Sequence, residues 1–141
     1  VKIIQKALWN KGGETIFSSE GADAGRLADK NEMTKLATVM TTSLRSYLGR
    51  PVDFLKIDIE GAETVVIEDC ANLLINVKNL FVEYHSFSDK EQKLDTLLGI
   101  LKKAGFRYYI YNFGVLSHHP FEEKKTYLGM DTQLNIYACR F

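Results

Sequence analysis

Val52-Asp53-Phe54-Leu55-Lys56-Ile57-Asp58-Ile59-Glu60-Gly61-Ala62-Glu63 is the stretch on which the reading of this chain turns. Val52 to Ile59 is compact and mostly apolar, which predicts a strand. Gly61 breaks it, and a helix opens near Ala62. In that helix Val66, Cys70, Leu73 and Leu74 recur at helical spacing, the buried stripe of an amphipathic helix over 62–74. Glu63 falls in its first turn, where a carboxylate suits the positive end of the helix dipole.

Downstream the alternation continues. Leu80 to Tyr84 (LFVEY) predicts a short buried strand. Ser88-Asp89-Lys90-Glu91 reads as a capping box, opening a helix over 89–104 that presents Leu94, Leu97, Leu98 and Leu101 on one face and stops at Gly105. Phe106 to Phe113 is a strand of aromatic and β-branched type, Ser117 to Lys125 a polar loop, and Leu134 to Cys139 a last strand. Upstream, Val1 to Trp9 and Glu14 to Ser18 read as strands around the turn Lys11-Gly12-Gly13, a candidate hairpin. Ser19 to Lys35 reads as loop, Ala37 to Thr42 as a strand, and Ser43 to Leu48 as one helical turn closed by Gly49-Arg50-Pro51. Strands and helices that alternate in this way predict an α/β fold with a mainly parallel sheet. The last two strands, joined by loop alone, are expected to pair antiparallel.

The chain has 141 residues, enough for one domain with a sizeable core. It is 45% hydrophobic and 11% aromatic, which argues against disorder. Eighteen basic residues balance eighteen acidic ones, so neither a nucleic acid nor an anionic membrane is expected as partner. Cys70 and Cys139 are far apart and form no C-x-x-C pair; with no run of 18 apolar residues and no leader, they read as free thiols in a reducing, cytoplasmic setting. The opening Val1-Lys2-Ile3-Ile4 looks like a strand already in progress and suggests a fragment.

In open α/β sheets ligands bind beyond the carboxyl ends of the strands. Two such ends are unusual here: Asp58-Ile59-Glu60-Gly61, with Glu63 behind it, and Glu83-Tyr84-His85. With a period of two, Asp58 and Glu60 share a face, as do Glu83 and His85. On neighbouring strands, these groups would converge in one crevice able to transfer protons or bind a cation. Each also has a plainer role: Asp58 as a helix cap, Glu60 as a strand end, Glu63 as a helix-start acid, His85 as a surface loop residue. Glu83 lies in an otherwise apolar strand, and a buried carboxylate needs a partner. His118 and His119, beside Pro120, read as a solvated loop. Tyr108, Tyr109 and Tyr111 read as sheet packing. There is no zinc-ligand spacing and no phosphate-binding glycine motif, so no metal site is expected from spacing alone.

The 52–63 segment resembles the "DxxKiDiEGaE" hallmark of the FkbM family of S-adenosylmethionine-dependent methyltransferases. LFVEYH (80–85) is similar to that family's next strand, which ends Glu-x-His; Ala7-Leu8-Trp9-Asn10 with Gly13, and Thr41–Leu48, resemble its earlier segments in the right order. The resemblance implies a Rossmann-like class I methyltransferase three-layer sandwich, with strand order 3-2-1-4-5-7-6 and the last strand antiparallel. It implies S-adenosylmethionine as cofactor and methyl transfer to an oxygen of a small-molecule acceptor or sugar. By position, Ala7 and Leu8 would lie near the adenine, and Asp58 and Glu60 at the methionine end. Glu83 and His85 would border the acceptor, with His85 the candidate base and Asp58 and Glu83 beside it. The family's first two strands, with their glycine-rich loop and ribose-binding acid, have no counterpart in these residues. The chain therefore reads as the carboxyl-terminal portion of the domain over 1–141, with open strand edges that invite a homodimer. Two other readings stand beside this one: an Mg²⁺-dependent hydrolase using Asp58, Glu60 and Glu83, and a non-catalytic interaction module.

Overall fold

The computed structural model describes residues 1–19, 25–27, 35–112, 119, 121–123 and 125–141. Its strands are β1 (Ala7–Trp9), β2 (Gly13–Ser19), β3 (Gly25–Leu27), β4 (Lys35–Ser43), β5 (Val52–Ile57), β6 (Val77–Phe87), β7 (Arg107–Asn112) and β8 (Met130–Cys139). Its α-helices are α1 (Glu63–Cys70), which tightens into a 3₁₀ turn over Ala71–Asn76, and α2 (Leu94–Lys103). Among the described residues no helix is long and apolar enough to cross a membrane.

The strands form two mixed four-stranded sheets, not the one mainly parallel sheet expected. In the first, ordered β1-β4-β2-β3, β1 runs parallel to β4 while β2 is antiparallel to both β4 and β3. The expected hairpin of the first two strands is therefore absent: β1 spans only Ala7–Trp9 and pairs across Ala7↔Thr41 instead. In place of loop throughout 19–35, residues 25–27 form a strand; the rest of that loop, save Ser19 and Lys35, lies outside the described residues, as does His118. The second sheet has the order β5-β6-β8-β7. Of its pairings only β5 with β6 is parallel; β8, reached from β7 with no helix among the described residues, lies antiparallel between β6 and β7.

Both helices bury into one core. Val66, Ile67 and Cys70 of α1 and Leu97 and Leu101 of α2 meet Leu80, Val82 and Tyr84 of β6 and Leu134, Ile136 and Ala138 of β8. The alternate residues point to the other face of the sheet, which carries no helix among the described residues. There Phe54, Tyr109 and Tyr137 are 62%, 71% and 50% exposed, and Tyr111 shares that face; Tyr108 alternates to the other face opposite Ala138, and all three tyrosines of β7 are exposed rather than buried in packing. The capping-box expectation also shifts. The α2 helix starts at Leu94 after Lys93, whose backbone N–H reaches the Tyr84 hydroxyl, and Ser88 lies before it. Its end follows the sequence closely. Gly105 takes φ 83°, its N–H bonds Lys102 O, and the Phe106 N–H bonds Leu101 O, a Schellman cap that buries Phe106.

Arg140 then ties the elements together. Its guanidinium donates to Leu74 O, Ile75 O, Val77 O and Ala104 O at 2.6–3.0 Å and stacks 4.1 Å from the Phe106 ring centroid. Carbonyls at two helix ends thereby share one cation, Leu74 O also accepting the Val77 N–H.

Candidate active site

The β5 strand ends at Ile57, earlier than its sequence suggests, because the next residues turn. Glu60 and Gly61 take φ 53° and 93°, and the Ala62 N–H reaches back to Ile59 O at 3.4 Å. Gly61 is required there: a Cβ would sit 2.8 Å from Phe87 Cε2 in a left-handed backbone. Period-two alternation therefore does not carry through to Glu60; the turn, not the strand, aims its carboxylate.

Glu63 holds this turn. It is 1% exposed, and its Oε1 accepts from the Ile59 N–H (3.2 Å), the Gly61 N–H (3.0 Å) and His85 Nδ1 (3.0 Å). A buried carboxylate requires such donors. Its first-turn position was legible; its grip on the imidazole was not. Asp58 is no helix cap: α1 is capped by Ala62 without a side-chain bond, and Asp58 Oδ2 pairs with Lys56 Nζ at 3.0 Å. That pair raises the Lys56 pKa through its hydrogen bond and charge.

The parallel register of β5 and β6 aligns Ile57 with Val82, so Asp58 falls opposite Glu83 one residue on. His85 is buried, with its side chain 2% exposed. Its Nε2 lies 3.7 Å from both Glu60 Oε2 and Glu83 Oε1, and Glu83 Oε1 also accepts from Gln133 Nε2 at 2.6 Å. The structure therefore brings Asp58, Glu60, Glu83 and His85 together, joins Glu63 to them through His85 Nδ1, and adds Gln133, which sequence reasoning did not link to them. Burial pulls the His85 pKa down. The hydrogen bond and charge of Glu63, with the charges of Glu60 and Glu83, outweigh that and leave it raised. Burial raises the pKa of Glu60.

His85 also lines a cleft of about 380 Å³, with Trp9, Gly61, Thr64, Ser86 and Lys93 among its walls. That volume falls within the range of small-molecule sites. Trp9, at the carboxyl end of β1, lines the cleft, while Ala7 and Leu8 do not; Leu8 packs toward the core. His85 is thus a residue shared by the cleft and the acid cluster, an arrangement suited to proton transfer.

The family model described as Methyltransferase FkbM domain matches residues 2–108, from before β1 into β7. No curated protein and no solved structure matches the chain.

Proposed function

We infer the reaction from the family: the chain belongs to the methyltransferase FkbM domain family, and the reading that follows is methyl transfer from S-adenosylmethionine to an oxygen of a small molecule or sugar. The match over residues 2–108 carries this reading, and the cleft beside His85 supports it. The sulfonium is an activated donor, so the protein mainly has to align donor, methyl and acceptor. The acceptor oxygen forms the new C–O bond as the C–S bond breaks. Its proton goes to His85 Nε2, and the sulfonium becomes a thioether. Glu63 holds Nδ1 and so turns Nε2 toward the carboxylates. Glu60 and Glu83 lie 3.7 Å from that nitrogen and favour its protonated form, with Asp58 beside Glu83 at the next step of the register.

On the donor side, Ala7 and Leu8 belong near the adenine, and Asp58 and Glu60 at the methionine end. The strands that would complete the donor site belong beside β5, which pairs only with β6 among the described residues. On this proposal the 141-residue chain alone binds S-adenosylmethionine weakly. The open β5 edge is also where a second copy could add. Cys70 and Cys139 are free thiols, in keeping with a reducing, cytoplasmic setting.

Two measurements test the reading. Incubation with S-adenosylmethionine and a hydroxyl-bearing small-molecule and sugar panel, read by mass spectrometry, should give a gain of one methyl in a chain extended by the donor-binding strands. Failure of that extended chain to methylate any acceptor would count against the reaction. Calorimetry on the 141-residue chain should show no tight donor binding, and a micromolar Kd would refute the division of the site.

A further inference from the structure

The carboxylates around His85 outnumber the cations that face them. Among the described residues, Asp58, Glu60, Glu63 and Glu83 meet one lysine, Lys56, and the imidazole itself. Glu63 is occupied by the turn and Nδ1. That leaves His85 Nε2, on a side chain 2% exposed, aimed between Glu60 and Glu83 at 3.7 Å from each, beyond hydrogen-bond range. Across the β6–β8 register from Glu83 stands Asn135, whose buried Oδ1 has no hydrogen-bond partner among the described residues. An imidazole nitrogen on a buried side chain, between two carboxylates and out of hydrogen-bond range of both, wants a ligand rather than another acid, and the unpartnered Asn135 amide oxygen stands across the register from one of those carboxylates.

We propose that Asp58, Glu83 and His85 Nε2 bind a divalent first-row transition cation of the manganese type. One ligand atom from each lies within 4.8 Å of the others. A cation with bonds of about 2.1 Å places adjacent ligands about 3.0 Å apart and opposite ones about 4.2 Å apart, so a small rotation closes the set. Asp58, 31% exposed at its side chain, is free to make that rotation. Two carboxylates with one imidazole suit Mn²⁺ better than Mg²⁺, which favours an all-oxygen shell, and better than the sulfur-rich sites of structural zinc. The Glu63 contact completes the pattern in which a carboxylate holds the far nitrogen of a metal-binding histidine. Lys56 is the competing cation; its side chain is 55% exposed and can swing away. No ligand spacing in the sequence announces the site, because its residues come from the ends of two strands joined only by their register. Nε2 cannot hold a cation and a proton at once, so cation occupancy and the proposed base role are alternative states of one nitrogen.

The test is titration of the chelator-treated chain with Mn²⁺, read by calorimetry and electron spin echo spectroscopy, without donor or acceptor. Its result is therefore independent of the methyl-transfer reading. The expected result is one Mn²⁺ per chain with a ¹⁴N modulation from imidazole. Glu83→Gln and His85→Asn should each weaken binding by about tenfold or more, and the second should abolish the modulation. Glu63→Gln should weaken it by about tenfold with the modulation retained. Lys56→Met should tighten it, and the surface variant Glu123→Gln should change nothing. Asp58→Asn, at a partly exposed side chain, reports on the site even if His85→Asn unfolds. No saturable binding below about 1 mM, a thousandfold weaker than a micromolar site, overturns the proposal. So does binding without ¹⁴N modulation, or binding indifferent to both Asp58→Asn and Glu83→Gln.

Discussion

Replacing Glu63 tests whether one buried carboxylate organises the site. Its Oε1 receives a buried bond from His85 Nδ1 and two bonds from the backbone of the Glu60–Gly61 turn. A hydrogen bond to a charged group contributes about 1.5–3 kcal/mol, and the two turn bonds, which water can partly replace, about 0.5–1.5 kcal/mol each. Burial of the carboxylate offsets part of this. Glu63→Ala should therefore cost about 3 kcal/mol in urea unfolding. Glu63→Gln keeps an oxygen in place and should cost about half as much. The sharper assay is a double-mutant cycle of Glu63→Ala with His85→Ala, where direct contact predicts a coupling of about 1.5–3 kcal/mol. A coupling within about 0.5 kcal/mol of zero, or a Glu63→Ala loss under about 1 kcal/mol, would refute the reasoning.

Arg140→Ala should destabilise the fold by about 2–4 kcal/mol by orphaning carbonyls at two helix ends, with Arg140→Lys recovering only part, as equilibrium unfolding will show. Gly61→Ala should cost about 1–3 kcal/mol from its φ of 93° and the Phe87 contact; an unchanged urea midpoint would contradict that account of the turn. Under chelator, the raised His85 pKa means the folded chain holds that proton more tightly than the unfolded one. Its contribution is therefore complete below about pH 6.5 and lost as pH rises through the folded value. The stability gap between wild type and His85→Asn should accordingly shrink as the pH is raised above about 6.5. The Cys70 thiol, buried and pushed up to about 11, should resist an aromatic disulfide reagent in the native state, while the half-buried Cys139 reacts first.

The parts of the fold that the sequence announced are those with local causes. Apolar spacing set the buried stripe of α1 and the Leu97 and Leu101 face of α2, and Gly105 marked where α2 stops. Pairing across distance was less legible: nothing in Ala7–Trp9 says that its partner is Thr41–Ser43 rather than the adjacent strand. For the site, residue type and strand position pointed to Asp58, Glu60, Glu83 and His85. The role of Glu63 was hidden because a first-turn acid usually faces solvent. Here a left-handed turn at Glu60 and Gly61 folds the backbone over it. The partnership of Glu83 with Gln133 spans fifty residues and depends on the β6–β8 register, which no local pattern encodes.

The placement of β8 also sets an order of events during synthesis. It comes last among the strands yet lies between β6 and β7. As the chain leaves the ribosome, β5, β6, α1, α2 and β7 all emerge before the strand that joins β6 to β7. Until residues 130–139 are out, one edge of β6 and one edge of β7 are unpaired, and Ile136 is missing from the core beneath them. A nascent chain halted before that point cannot close this sheet and presents two sticky edges to its neighbours. Its safe passage therefore rests on how quickly ten late residues find their slot.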